Sequence, residues 1–286
     1  MKKLPSKLKD NFEVNLDDTI NSGQVFLWKK INSKWNGING KRILILENNL
    51  DTKNKEIYDF FRLGDNFQKI KRELSKDEVL RKAVNEFPGM RILRQDPFQC
   101  YISFIVSSNS NIPNIQTRLQ KLCITFGEKK VKNGQEFFLF PKPAELANSS
   151  ISKIAKCGLG YRSKYVKKAA IAVNDGIINF SSLKKQNYYD ARDVLCQVFG
   201  IGKKVADCIL LFSLDKLEAV PLDRWVLRIL QKYYSDKFEI KTKSITEKTY
   251  DELHEKIIGY FGEYAGYAQQ FLFKNERESS DKKWLG

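Results

Sequence analysis

The sequence predicts an α+β protein, in which an N-terminal antiparallel, twisted β-sheet domain (residues 1–87) is followed by an all-helical domain (residues 88–286). Three observations lead to this prediction. The early part of the chain is rich in aromatic and β-branched residues with Asn-Gly pairs, helix start signals follow from Ser75 onward, and a Gly-x-Gly turn near residue 200 joins two apolar helices. A length of 286 residues suits roughly two domains.

The β prediction rests on two apolar segments and the pairs between them. Val25-Phe26-Leu27-Trp28 and Ile43-Leu44-Ile45-Leu46 have the residue types that favour strands. Asn36-Gly37 and Asn39-Gly40 suit hairpin turns, because both residue types adopt positive φ readily. The segment is therefore expected to form an antiparallel sheet.

Helix signals dominate the rest of the chain. Ser75 and Glu78 have capping-box spacing, as do Ser244 and Glu247, and Asp96-Pro97 joins an N-cap to an N1 proline. Apolar periodicity predicts helices over residues 97–106, 112–126, 165–173, 205–214, 225–233 and 264–273.

Composition limits the class of protein. The chain has 50 Lys and Arg against 34 Asp and Glu, and a net charge of +16 predicts a polyanionic partner, above all nucleic acid. The cysteines are widely spaced without a Cys-x-x-Cys pair, which argues against disulfides, structural zinc and an iron-sulfur cluster; they are Cys100, Cys123, Cys157, Cys196 and Cys208. The sequence has no apolar run long enough for a membrane span, so an intracellular, cytoplasmic monomer is expected. His254, in a polar helical segment, is predicted to lie at the surface.

The segment from Val198 to Asp207 has the pattern of a helix-hairpin-helix. Gly200 and Gly202 permit a tight turn, and the first N–H groups of the next helix can bind a phosphate without reading base sequence. A glycine-rich turn between two core helices would give the same pattern. Lys203 points about 100° away from Lys204 on that helix and is expected to meet phosphate.

Two further residues add chemistry to the hairpin. Lys204 and Cys208 are four apart and share a helix face, and Asp223 stands at the expected N-cap of the next helix, which favours an ionised carboxylate. An amine and a carboxylate at one DNA-binding edge are what Schiff-base cleavage of a glycosidic bond needs. A phosphate contact for Lys204 and a simple helix cap for Asp223 are the competing interpretations.

The segments 200–208 (Gly-Ile-Gly-Lys-Lys-Val-Ala-Asp-Cys) and 219–223 (Ala-Val-Pro-Leu-Asp) resemble the signature of helix-hairpin-helix, Gly/Pro-Asp DNA glycosylases. More narrowly, the chain resembles the eukaryotic type of 8-oxoguanine DNA glycosylase. The resemblance runs almost end to end and includes residues 22–28, 93–97, 107–112, 158–162 and 264–269.

The resemblance implies a bifunctional glycosylase and β-lyase that acts on duplex DNA containing 8-oxoguanine. It implies a Schiff-base lysine at Lys204, a catalytic aspartate at Asp223, and a carbonyl at Gly23 that accepts the N7 proton of the lesion. Phe273 and Cys208 would sandwich the extruded base, with Gln269 and Pro221 at its edges. Further DNA-contacting and opposite-base positions are Asn109, Asn114, Tyr161, Arg162, Gly200, Gly202 and Lys203.

No organic cofactor or catalytic metal is expected. By resemblance, the backbone carbonyls of Cys196, Val198 and Ile201 would hold an optional cation beside the phosphate.

Three positions depart from the family pattern. Asn114 stands where the family has its second cytosine-reading arginine, Trp225 replaces a histidine after the catalytic aspartate, and Ser110 replaces an asparagine. A guanidinium offers paired donors to the O2 and N3 acceptors of cytosine, and asparagine does not. The sequence therefore predicts relaxed specificity for the base opposite the lesion.

Three other functions share part of this sequence pattern. Endonuclease III and adenine-mismatch glycosylases usually carry a four-cysteine cluster near the C-terminus, and no cysteine follows Cys208. An alkylbase glycosylase would share the architecture but usually lacks a lysine at Lys204. A noncatalytic DNA-binding protein that uses the hairpin as a phosphate clamp is the alternative from another class.

Overall fold

A three-stranded antiparallel sheet is the centre of the N-terminal part of the computed structural model, which describes residues 12–240 and 246–284. The strands pair in chain order and are β1 (Trp28–Ile31), β2 (Lys34–Asn39) and β3 (Arg42–Leu46). Short helices surround the sheet: α1 (Leu16–Ile20), α2 (Lys55–Phe60), α3 (Phe67–Leu74) and α4 (Glu78–Glu86). The predicted N-terminal sheet is confirmed.

One of the two predicted hairpin turns is wrong. Gly40, with a φ of +62°, forms the turn between β2 and β3 as expected. Gly37, in contrast, lies within β2 opposite Trp28, where a Cβ would come within 2.2 Å of the indole ring. The glycine therefore makes room for a tryptophan, and the first turn is formed by Asn32 and Ser33 at φ values of 45° and 64°.

The remainder of the chain is mainly helical. Its helices are α5 (Pro97–Ser107), α6 (Ile112–Phe126), α7 (Pro143–Ala147), α8 (Ile151–Ile154), α9 (Arg162–Asn174), α10 (Phe180–Lys185), α11 (Tyr188–Cys196), α12 (Lys203–Ser213), α13 (Arg224–Tyr233), α14 (Glu247–Phe261) and α15 (Ala265–Trp284). The prediction that this part is all-helical is wrong at one place, where β4 (Lys129–Lys132) and β5 (Gln135–Phe138) form a hairpin. Asn133 and Gly134 turn it with φ values of 52° and 73°.

Two of the four predicted helix caps are found, at Asp96 and Asp223. Asp96 accepts a hydrogen bond from the Gln99 N–H at the start of α5. The capping box assigned to Ser75 is wrong, because Ser75 ends α3 and Asp77 caps α4 by accepting from the Leu80 N–H. The equivalent assignment for Ser244 falls outside the described residues; α14 is capped by Thr246.

One end of the sheet shares a hydrophobic cluster with the helices through Phe26 and Ile38, whereas most buried strand residues form a second cluster with α1 and α2. Phe26 packs edge to face on Phe104 of α5, with ring centres 5.6 Å apart, and Phe104 stacks on Phe212 of α12 at 5.3 Å. The Gln99 side chain adds polar bonds to the sheet, accepting from the Gly40 N–H at 2.7 Å and donating to the Ile38 carbonyl at 3.0 Å. The sheet therefore packs against α5, which in turn packs against α12 of the hairpin, while the exact boundary at residue 87 stays a prediction.

None of the helices in the ranges 12–240 and 246–284 has the length and apolar character needed to cross a bilayer.

Candidate active site

A cavity of about 1000 Å³ opens where the sheet part, the hairpin and α15 meet. Its lining includes many of the residues singled out from the sequence, namely Gly23, Asn109, Gly202, Lys203, Lys204, Cys208, Pro221, Asp223, Gln269 and Phe273. Asn114, Tyr161, Arg162 and Gly200 lie outside this lining. Residues from the two ends of the chain and from its centre thus form one site.

Lys204 and Cys208 form one wall of the cavity. Gly202 is the N-cap of α12, so Lys204 lies in its first turn and Cys208 one turn further on. The Lys204 Nζ lies 5.7 Å from the centre of the Phe104 ring. Burial raises the pKa of the Cys208 thiol to about 12, so this side chain is a neutral thiol at physiological pH.

The charge state of Lys204 reflects opposing effects. Burial acts to lower the pKa of the amine, but Cys208 and Asp223 outweigh it, and the pKa of Lys204 lies above its usual value. Lys204 is therefore an ammonium ion in the free protein. It must lose a proton before the amine can attack an electrophile.

Asp223 is the N-cap of α13, as predicted. Its Oδ1 accepts hydrogen bonds from the N–H groups of Trp225 and Val226, both at 2.9 Å. Because both bonds use one oxygen, the cap fixes the carboxylate while the other oxygen can meet a positive charge in the cavity. A cap and a catalytic carboxylate are thus compatible roles for this residue.

Gly23, Gln269 and Phe273 form the opposite wall. Gly23 has a φ of +85°, and a Cβ there would lie 3.2 Å from Phe273 Cε1, so the backbone approaches the ring closely. Gln269 precedes Phe273 by one helical turn on α15. Its Oε1 is buried and has no hydrogen-bond partner among the described residues. An unpaired buried amide beside an aromatic ring suits a planar polar ligand.

Buried glutamines hold the Gly23 segment in place, and sequence reasoning gave them no role. Gln24 accepts from the Leu93 N–H at 2.7 Å and donates to the Arg91 carbonyl at 2.8 Å. Gln95 donates to the Gln24 carbonyl, and Gln270 of α15 donates to the Ser22 carbonyl, both at 2.7 Å. The available signal was that Gln24 and Gln95 lie in the quoted motifs and that Gln270 directly follows one of them.

The Asn109 loop lies next to Tyr161 and Arg162. Asn109 lines the cavity, whereas Tyr161 and Arg162 lie outside its lining. Asn109 has a φ of 48°, which asparagine tolerates better than most residues. Arg162 is buried and donates to the carbonyls of Ser108 at 2.8 Å and Asn109 at 3.1 Å. Its guanidinium also stacks 4.4 Å from the Tyr161 ring, whose side chain is 50% exposed. Arg162 therefore ties the exposed tyrosine to the Asn109 loop.

A second guanidinium near this loop was missed in the sequence. Asn114 is exposed, and its N–H is capped by Asn111. Arg118, one helical turn after Asn114, donates to Ser110 Oγ at 2.6 Å and to the Gly158 carbonyl at 3.0 Å. The i, i+4 spacing of these positions was the only sequence signal.

The hairpin has the expected backbone. Gly200 has a φ of +94°, and a Cβ there would meet the Tyr165 ring at 2.4 Å, whereas a Cβ on Gly202 would meet nothing within 4 Å. Lys203 donates to Asp251 Oδ2 at 2.6 Å and to the Glu247 carbonyl at 3.1 Å, so a phosphate would compete with these partners.

The carbonyls assigned to an optional cation lie in the same turn. That of Val198 accepts from the Ile201 N–H at 3.0 Å and keeps one lone pair. The cation at Cys196, Val198 and Ile201 stays a prediction.

The surface prediction for His254 is wrong. The side chain is fully buried, lies 2.8 Å from the Tyr188 hydroxyl, and accepts from the Val220 N–H at 3.2 Å through Nε2. Burial lowers the pKa of His254 to about 3, so the ring is neutral. The prediction fails because His254 lies on the face of α14 that packs against α11 and α12.

Family models match both parts of the chain. Residues 7–101 match the 8-oxoguanine DNA glycosylase N-terminal domain, and residues 102–256 match the HhH-GPD superfamily of base excision DNA repair proteins. The chain belongs to the 8-oxoguanine DNA glycosylase family. The predicted enzyme class, a DNA N-glycosylase with lyase activity, is confirmed together with the fold class.

Individual members of the family are similar over nearly the whole chain. An N-glycosylase/DNA lyase of Arabidopsis thaliana is 31% identical, with 91% of this chain and 77% of that protein covered. MBOgg1, solved with a low affinity DNA ligand, superposes with a TM-score of 0.84 at 35% identity, covering 94% and 93% of the two chains.

The 8-oxoguanine glycosylase/lyase of Clostridium acetobutylicum, solved with duplex DNA containing cytosine opposite 8-oxoG, has a TM-score of 0.83 at 31% identity with the same coverage.

Proposed function

We propose that this family member excises 8-oxoguanine from duplex DNA through a Schiff base on Lys204 and then cleaves the strand by β-elimination. The observation that carries the proposal is the shared cavity, which is lined by an amine, a fixed carboxylate and a ring beside an unpaired amide. The exposed N-terminus of α12 and the basic charge of the chain supply the DNA-binding surface. We expect a monomer.

The chemical steps follow from these residues. The lesion is first extruded into the cavity, at a cost of a few kcal/mol. The deprotonated Lys204 amine then forms a bond to C1′ while the bond from C1′ to the base breaks, and the base leaves with that electron pair and takes up one of the two amine protons. The sugar ring then opens as the C1′–O4′ bond breaks, the other amine proton passes to O4′, and an imine joins Lys204 to C1′. Loss of a C2′ proton then expels the 3′ phosphate as the leaving group.

Asp223 acts while the glycosidic bond breaks. Positive charge develops on the sugar at that point, and a fixed carboxylate stabilises it without reorganising. The two N–H bonds of the α13 cap hold the group in place. Asp223 also accounts for part of the raised pKa of Lys204, so it favours the ammonium form before reaction and the cationic transition state during it.

Gly23 is the residue proposed to recognise the lesion. Its carbonyl would accept the N7 proton that 8-oxoguanine carries and guanine lacks. Bonds from Gln24, Gln95 and Gln270 around this segment fix the carbonyl position. Discrimination by one hydrogen bond requires such rigidity, because a mobile acceptor could turn away from guanine at little cost.

Borohydride trapping tests the proposal. The protein is incubated with duplexes containing 8-oxoguanine, 3-methyladenine or no lesion, and covalent adducts are counted after reduction. We expect an adduct with the 8-oxoguanine duplex alone. Excision of the alkylated base without an adduct would indicate the alkylbase alternative, and binding without excision of either base would indicate a noncatalytic clamp.

Phe273→Ala is expected to weaken binding of the extruded base by about 1 to 3 kcal/mol, the usual worth of one base stacked on an aromatic ring. Phe273 is only half-buried and faces Gly23, so the variant should keep most of its folding stability. Lesion affinity and urea unfolding are measured on the same sample. A loss of about 3 to 5 kcal/mol in unfolding free energy with unchanged lesion affinity would show that the ring is only a core residue.

We also propose that the preference for cytosine opposite the lesion is weak. Asn114 cannot supply the paired donors of a guanidinium, and Arg162 is already bonded to the Ser108 and Asn109 carbonyls. Loss of one bidentate contact removes about 1 to 3 kcal/mol of discrimination.

Asn114→Arg is therefore expected to increase the ratio of excision opposite cytosine to excision opposite adenine. Single-turnover rates with each of the four opposite bases measure it. Thr117→Arg, at an exposed position of α6, serves as the control for added charge, because the adjacent Gln116 is half-buried. A strong cytosine preference in the unchanged protein would contradict this interpretation of Asn114.

A further inference from the structure

A buried polar cluster lies behind the wall formed by Lys204 and Cys208, outside the chemistry described so far. Asp207 and His254 are 0% exposed, and Tyr188 and Tyr250 are 3% and 6% exposed. They come from α11, α12 and α14, which surround the segment between α12 and α13. Burying a carboxylate is costly unless it is hydrogen-bonded and its charge is paired or neutralised.

Asp207 connects the three helices. Its Oδ1 lies 2.6 Å from the Tyr188 hydroxyl, and its Oδ2 accepts from the Tyr250 hydroxyl at 2.5 Å. Asp207 directly precedes Cys208 and follows Lys204 by three residues, so its position is rigidly coupled to theirs through the backbone of α12. The groups that are hydrogen-bonded to Asp207 are therefore held in a fixed position relative to the Lys204 amine.

The partners of Asp207 hold the segment that leads to Asp223. The Tyr250 hydroxyl accepts from the Leu222 N–H, and His254 Nε2 accepts from the Val220 N–H, both at 3.2 Å. These two N–H groups flank Pro221, which lines the cavity. Asp207 therefore links α12, which carries the Lys204 amine, to the loop that leads to the Asp223 carboxylate.

The contacts of the Tyr188 hydroxyl each have a proton of their own only when Asp207 is protonated. The Tyr188 oxygen accepts from Arg192 Nη1 at 3.1 Å and also lies within bonding distance of Asp207 Oδ1 and His254 Nε2. Tyr188 has one proton to give, and His254 Nε2 must be unprotonated to accept from the Val220 N–H. A proton on Asp207 lets Tyr188 accept from it and donate to His254, so that every contact has one proton.

Ionisation of Asp207 would break this pattern. Tyr188 would then turn its proton toward the carboxylate, and the bond from Tyr188 to His254 would be lost. Burial raises the pKa of Asp207 to about 7, which is consistent with a protonated group. The titratable and charged groups around it are Tyr188, Arg192 and Cys196 of α11, Lys203 and Cys208 of α12, and Tyr250, Asp251 and His254 of α14.

We propose that protonated Asp207 is a positioning residue that sets the separation of Lys204 and Asp223 through Tyr250 and His254. The inference rests on the proposed function, since it assigns a role only if those two residues react. Asp207 touches neither the substrate nor the reacting atoms. Its effect is to keep the amine and the carboxylate in the geometry that the reaction needs, and small displacements of reacting groups can cost about 100-fold in rate.

The first test compares Asp207→Asn with Asp207→Ala. Asparagine has the shape of the protonated acid and can donate to Tyr188 while accepting from Tyr250, so we expect a single-turnover excision rate close to that of the unchanged protein. Alanine removes the link, and we expect the rate to fall by about tenfold or more, with 8-oxoguanine duplex affinity changed far less. An Asp207→Asn variant as slow as Asp207→Ala would show that a neutral polar group at this position is not sufficient, and would overturn the proposal.

The pH profile is the second readout, because a purely structural role would not move it. The neutral acid persists below a pKa of about 7 and is lost above it. The ratio of the unchanged protein's rate to that of Asp207→Asn is therefore expected to fall by up to about tenfold between pH 6 and 8, as the protonated fraction falls. A ratio that is constant across this range would overturn the proposal.

Tyr250→Phe and a matched control keep the test valid if Asp207→Ala fails to fold. Phenylalanine removes the hydroxyl that joins Asp207 to Leu222, and we expect slower excision. Tyr234→Phe removes another buried hydroxyl that binds a carboxylate, Asp77, at the far end of α13. Equal excision rates in the two variants would overturn the proposal. If the unchanged protein forms no borohydride adduct, the proposed function itself fails, which is a separate outcome.

Discussion

Replacing Lys204 with glutamine is expected to abolish both base excision and borohydride trapping, while binding to the 8-oxoguanine duplex is retained. Glutamine is similar in reach and polarity, but only an amine can form an imine with C1′. The structure adds that Lys204 lines the cavity beside Cys208 and forms no salt bridge with the residues that the structure describes, so the fold should tolerate the change.

The neighbouring lysine is the matched control. Lys203 lies in the same turn of α12 but donates to Asp251 and Glu247. Lys203→Gln should retain trapping, and if Lys203 meets phosphate, it should weaken binding to damaged and undamaged duplex alike and lower the salt slope by about 1. Equal trapping by Lys204→Gln and the unchanged protein would disprove the assignment.

Asp223→Asn is expected to slow the chemical step by about 100-fold or more, the scale of losing one electrostatic partner of a transition state. Asparagine keeps a capping oxygen for Trp225 and Val226, so α13 should still form. Single-turnover excision and thermal unfolding are measured together, with Asp96→Asn as a control cap at the start of α5. An early-melting variant with a normal excision rate would mean that Asp223 is a cap and nothing more.

Local signals predicted the framework well where short-range physics decides the outcome. The caps at Asp96 and Asp223 and the turn at Gly40 follow from side-chain bonds or positive φ within a few residues. Signals that depend on distant neighbours were misread. Gly37 serves the Trp28 ring across the sheet, and the Asp77 cap was masked by the capping-box spacing of Ser75.

The residues of the candidate site show the same difference between short-range signals and signals that depend on distant neighbours. Lys204, Cys208, Gln269 and Phe273 could be paired from helical spacing, and the structure places all four in the cavity lining. The buried role of His254 could not be predicted, because its environment comes from α11 and from the loop before α13 rather than from its own helix. Arg118 was missed for a related reason: its partners, Ser110 and Gly158, belong to two separate loops.

The contact between Gln270 and Ser22 has a consequence for synthesis of the chain. It joins positions 248 residues apart, and the proposed base pocket is formed by the segments on both sides of this contact, at Gly23 and in α15. Such non-local contacts form late, because the loop that they close must be ordered first. A nascent chain emerges from its N-terminus, so the Gly23 wall is completed only after α15 has been synthesised. The wall proposed to recognise the lesion is therefore completed after the hairpin residues have been synthesised.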